Sequence, residues 1–129
     1  MIINKPSRVR PDGRDKVTGE LKYMTDLSFP GMLYGKVLRS AYPHAEIVSV
    51  CTIKAEKMEG VQAVVTHKDV PGLNRFGIVI PDQPVLCEDR VRYVGDAIAA
   101  VAAETEEIAE AALELIRVEY KELEVIDSP

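Results

Sequence analysis

The chain has 129 residues, 47% of them apolar and 29% charged, with a formal net charge of −5. That length suits one domain able to bury a core without staples, and the acidic balance, with no basic run, argues against nucleic acid or an anionic membrane as partner. Trp is absent, so no base-stacking platform is evident.

Residues 1 to 11 carry Pro6, Pro11 and three basic residues and read as an arm or linker. MIINKPSRVR lacks the apolar core of a signal peptide, and no run approaches a membrane span, so a cytoplasmic protein is expected. Asp12-Gly13 and Thr18-Gly19 are turn signals. GELKYMTDL is expected to form the first strand. Pro30-Gly31 turns the chain, Leu33 to Arg39 reads as a strand, and Ala45 to Thr52 as another, alternating through Ile47 and Val50. Pro43 sits in the connection, where its missing N–H does least harm.

Lys54 to Glu59 suits a short helix ending at Gly60, and Val61 to Thr66 a short strand. From Lys68 to about Asp89 periodicity is lost, with Pro71, Gly72, Gly77, Pro81 and Pro84 interrupting the chain. A loop this long in a compact domain is usually functional or an interface. Within it Ile78, Val79 and Ile80 have two readings. The commoner is a brief strand or core plug; the other is surface that meets a partner or lines a cavity.

The stretch from Val91 to Tyr120 is the most strongly patterned and reads as two strands, a helix and a third strand. Ala97 to Ala103 is uninterrupted apolar sequence, as in a strand buried on both faces. Thr105 is placed to cap a helix, with Glu106 and Glu107 at the positive end of its dipole. Ile108, Ala111, Ala112, Leu115 and Ile116 form one apolar stripe, with Glu106, Glu110, Glu114 and Arg117 opposite as a solvated face. Arg117 to Tyr120 alternates as a half-exposed strand. Strand, helix and strand suit a right-handed crossover within one sheet. Small residues on both elements imply close approach, so a bulky side chain at Ala100 is expected to overpack that layer. The terminal Ile126-Asp127-Ser128-Pro129 reads as a chain leaving one domain for another.

Self-contained chemistry is hard to find. His44-Ala45-Glu46 has the H-x-E spacing of zinc deaminases, but that motif needs a P-C-x-x-C partner. Pro84-Val85-Leu86-Cys87 supplies a single cysteine, and a zinc hydrolase built on His44 and Cys87 is the weakest of the readings. His67 beside Lys68-Asp69 is a surface group or part of an acid–base set. Cys51 and Cys87 lie far apart and suit reduced thiols. No GxGxxG, Walker lysine, HExxH or GxSxG motif is present.

Taken in order, DGRDKVTGELKYMTDL, GMLYGKVLRSAYPHAEIVSV, GVQAVVTHKDVPGLNRFG and VRYVGDAIAAVAAETEEIAEAALELIRVEYKEL resemble the N-terminal α/β-hammerhead domain of the molybdenum-containing subunit of the xanthine dehydrogenase and aldehyde oxidase family, from Val9 to Val125. Cys51, Ala97, Glu59 and Glu124 depart from the family pattern, all at strand ends and turns. The resemblance implies an α+β fold, an α/β-hammerhead with a mixed sheet, one long helix and one short, as a single domain. It implies a parent oxidoreductase that hydroxylates a heterocycle such as a purine, or an aldehyde, using molybdenum–pterin, 2Fe-2S clusters and FAD. The partners implied are the molybdopterin-binding domains of the same subunit and the iron–sulfur and FAD domains or subunits. It carries no catalytic, cofactor or metal residue onto this chain. It does imply that Asn74 to Asp82 faces the substrate funnel, with Asn74, Ile78 and Val79 as the channel candidates. The rival expectation is a free-standing module that binds a small ligand or protein through the 68–89 loop.

Overall fold

The computed structural model describes residues 10–125. The chain divides into two compact units, Met1–Met32 and Leu33–Pro129. The arm expected at residues 1 to 11 and the exit expected at 126–129 lie almost wholly outside the described residues.

In the first unit the described chain opens with helix α1 (Gly13–Thr18). Asp12 sits at its N-terminal end, 2.6 Å from Arg10 Nε and 2.9 Å from Lys16 Nζ, and these cations hold its carboxyl below the usual carboxylate range. Gly19, with φ +77°, ends the helix in the left-handed conformation, as the Thr18-Gly19 signal required. The strand expected over GELKYMTDL is absent. A 3₁₀ turn spans Met24–Asp26 instead, and Asp26 accepts a hydrogen bond from the Tyr23 N–H at 3.0 Å. No described strand pairs with this segment, so local capping satisfies the backbone in place of a ladder.

The second unit holds strands β1 (Tyr34–Arg39), β2 (Ala45–Cys51), β3 (Val61–Thr66), β4 (Arg90–Val91), β5 (Ala97–Ala103) and β6 (Arg117–Glu122), with helices α2 (Ile53–Glu56) and α3 (Glu106–Leu115). They form two three-stranded sheets, ordered β1-β5-β3 and β4-β2-β6, with antiparallel pairing throughout. The crossover expected from β5 through α3 to β6 therefore does not close within one sheet. Both edges of β5 are already filled by β1 and β3, and β6 pairs with β2. In β2 the register shifts between Ile47 and Ser49, which leaves Val48 and Ser49 both outward and lets Ile47 and Val50 both face inward at a spacing of three.

Thr105 caps α3 as expected: its Oγ1 accepts from the Ile108 N–H at 3.2 Å. The buried stripe keeps Ile108, Ala112 and Ile116 of the expected one and differs at two positions. Ala109, Ala112 and Ile116 are buried and Leu113 is packed against them, whereas Ala111 and Leu115 face solvent. Both sets obey helical spacing and have the same composition in so alanine-rich a segment, and contact with Ala99, Val101 and Ala103 of β5 selects the one through Ala109 and Leu113. Ala100 points to the other face of that sheet, level with Val37 and Val65, so it is not the contact with α3. The charged face of α3 is also tied down: Lys36 Nζ on β1 lies 2.5 Å from Glu106 and 2.8 Å from Glu110. A second core gathers Ala45, Ile47, Cys87, Val91 and Ile98.

Candidate functional site

The segment between β3 and β4 is as irregular as its sequence suggested, but it is closely tied. Thr66 opens it: its N–H and hydroxyl donate to Asp69 at 2.8 and 3.0 Å, and its Oγ1 accepts from the Lys68 N–H at 3.4 Å. These donors hold the Asp69 carboxyl below the usual range. Five residues on, the Asn74 carboxamide donates to the Leu86 carbonyl at 2.7 Å and accepts from the Leu86 N–H at 3.1 Å. Beyond that clamp the backbones of Phe76 and Gln83 exchange two hydrogen bonds, 2.8 and 3.1 Å. The two links close a hairpin over residues 74–86.

At its tip Gly77 is forced by contact: a Cβ there would lie 2.0 Å from the Ile80 carbonyl oxygen. Ile78 is fully exposed, Val79 90% exposed and Ile80 67% exposed. The core-plug reading of these three therefore fails, because the hairpin carries them away from both cores. Leu73 and Phe76 are exposed beside them. An apolar tip held on hydrogen-bonded stems is a built surface, since water gives nothing back for such exposure.

The root of the hairpin is buried. Leu86 and Cys87 are packed, the Cys87 N–H donates to the Ala97 carbonyl at 2.7 Å, and Asp96 accepts from the Arg92 N–H at 3.0 Å. Burial, helped by the neighbouring Asp96, pushes the Cys87 thiol up to about 12. Two hollows flank the root. One of about 340 Å³ is lined by Ser49, Thr52, Thr66, His67 and Glu88 among others. A more open one of about 900 Å³ shares His67, Lys68 and Glu88 and runs along Leu73, Asn74 and Arg75. His67 Nδ1 is buried without a hydrogen-bond partner.

Of the three channel candidates, Ile78 and Val79 stand together at the tip and Asn74 lies in the stem, with its amide committed to Leu86. Phe76, Gln83 and Leu86 carry no local signal, because what marks them is pairing between residues 7 and 12 positions apart. His44 Nδ1 is 2.7 Å from the Glu124 carbonyl and Glu46 is paired with Lys121, so the H-x-E pair serves the ends of β2 and β6. Among the described residues no group of three His, Cys, Asp or Glu side chains is placed to hold a metal ion. No chemical step is assigned to these side chains. No helix among them is long and apolar enough to cross a membrane.

Residues 18–124 match the family described as aldehyde oxidase and xanthine dehydrogenase, a/b hammerhead domain. The chain is 98% identical over its whole length to a probable xanthine dehydrogenase subunit of Bacillus subtilis, of which it covers 17%. It is 50% identical over 93% of its length to the nicotinate dehydrogenase large molybdopterin subunit of Eubacterium barkeri, covering 28% of that protein. The reconstituted CO dehydrogenase from Oligotropha carboxidovorans superposes with a TM-score of 0.87 at 34% identity, over 94% of this chain and 15% of that one. The chain thus spans well under a third of the relatives it matches. It belongs to the aldehyde oxidase and xanthine dehydrogenase family, as its α/β-hammerhead domain.

Proposed function

We propose that this chain is the part of a molybdenum hydroxylase that packs against the molybdopterin-binding domains and shapes the way in for substrate, with no chemistry of its own. The observation that carries the reading is the stapled hairpin, which holds Ile78 and Val79 out as an apolar wall. Asn74 acts there as a positioning residue, through Leu86. The parent enzyme would be a cytoplasmic oxidoreductase acting on a purine, another heterocycle or an aldehyde. It would draw on molybdenum–pterin, 2Fe-2S clusters and FAD held by other domains or subunits. The names of the relatives support that range: one is the large molybdopterin subunit of a nicotinate dehydrogenase, another a probable xanthine dehydrogenase subunit.

The test is Val79→Glu in the full-length enzyme. A charge at the mouth should raise KM by about 10-fold for a neutral substrate, a loss of about 1.4 kcal/mol in binding, with kcat little changed. Unchanged kinetics across several substrates would remove the funnel role. An immunoblot of the source cell separates this reading from a free-standing binding module using the 68–89 loop: the module predicts a native band at 14.3 kDa.

A further inference from the structure

The outer face of the β1-β5-β3 sheet is apolar where an antiparallel sheet facing water should carry polar side chains. Register places Val37, Ala100 and Val65 in one row across the three strands, and Gly35, Ala102 and Ala63 in the next. None of the six has a polar side chain. Lys36 points to the opposite face, where it meets Glu106 and Glu110. Val37 and Val65 are 39% and 38% exposed, Gly35 and Ala63 exposed, and Ala100 and Ala102 half-buried. The centre strand, AIAAVAA, is written as a strand covered on both faces, yet α3 covers only one.

From this we infer that a second layer of the same polypeptide, outside residues 1–129, lies on this face. The inference rests on the proposed function, which makes this chain one domain of a longer one, and it names the surface used. Area and side-chain size select the occupant. With strands about 4.8 Å apart and same-face residues about 6.8 Å apart, the block covers on the order of 200 Å². A stable complex between separate molecules needs about 800 Å² on each partner, so a second copy is too weakly held here. A tethered layer escapes the cost of bringing two molecules together. The relative that is 98% identical has such chain to spare, since these residues make up 17% of it. Glycine and alanine floor the face between two valines, which admits the close approach of an apolar helix or strand.

The experiment uses the full-length polypeptide. Val65→Cys and, separately, Ala63→Cys are labelled with a maleimide, native and in denaturant, and modification is read at the peptide level by mass spectrometry. The expected result is at least about 30-fold slower labelling in the native protein, unchanged on 100-fold dilution. Labelling within about 3-fold of the denatured rate at both positions overturns the inference. Protection that disappears on dilution assigns the face to a second copy and also overturns it. Circular dichroism of each variant identifies any that fails to fold, and the other then decides. A long native chain with rapid labelling sinks this inference alone. A native band at 14.3 kDa sinks the proposed function with it.

Discussion

Asn74 stands to Leu86 as one β-strand residue stands to another, except that a side chain supplies both hydrogen bonds. The pair joins residues 12 positions apart, and the Phe76–Gln83 exchange continues the closure further toward the tip. The apolar tip is thereby presented on a fixed stem.

Asn74→Ala should strip the Leu86 N–H and carbonyl of their partners next to a buried side chain. The expected loss is about 1–3 kcal/mol, localised to the hairpin. Hydrogen exchange at the Leu86 and Phe76 amides should accelerate while β5 amides keep their protection. An unchanged Leu86 exchange rate would show that the clamp is dispensable.

Gly60 separates α2 from β3 with φ +84°, and a Cβ there would come within 2.7 Å of Ile108 Cδ1 on α3. Gly60→Ala combines an unfavourable backbone with a clash, and should cost about 1–3 kcal/mol in a chemical denaturation. The double variant Gly60→Ala with Ile108→Val removes the clashing methyl and should recover part of that loss. With Ile108→Val alone as the reference, an undiminished cost of Gly60→Ala would leave backbone strain as the whole cause.

Ala112→Leu and Ala100→Leu separate the two faces of β5. Ala112 is fully buried against Ala99, Val101 and Ala103, so its enlargement should cost about 1–3 kcal/mol. Ala100 lies on the half-open face, and in this chain its enlargement should cost less than half as much. Equal losses in thermal melts would contradict the assignment of faces.

Cys87 gives the chain an alkaline limit. Its thiol is held up to about 12 when folded, chiefly by burial, against about 8.5 in an unfolded chain. A raised folded value means that the unfolded state sheds this proton first. Its contribution is therefore complete below about pH 8.5 and declines as pH rises toward about 12, by up to about 1.4 kcal/mol per pH unit. Urea midpoints between about pH 8 and about pH 11 should fall in the parent chain and fall less in Cys87→Ala. Parallel profiles would exclude the thiol as the source.

Most elements of the second unit follow from local sequence alone. The apolar run of β5, the Thr105 cap and the reach of Val61–Thr66 all follow from local pattern, because capping and alternation are written in neighbouring residues. Family and fold class were also legible, through the order of several segments. Whatever depends on pairing came only with the folded chain. The GELKYMTDL segment had strand-like composition but no partner strand, and so turned into a 3₁₀ bend. α3 had two admissible stripes, and contact with β5 selected the one with Ala109 and Leu113 over the one with Ala111 and Leu115. β6 left the sheet of β5 because both edges of β5 were occupied. Ile78 to Ile80, apolar enough for a core, were carried into solvent by hydrogen bonds between residues 7 and 12 positions apart, a distance at which local sequence is silent.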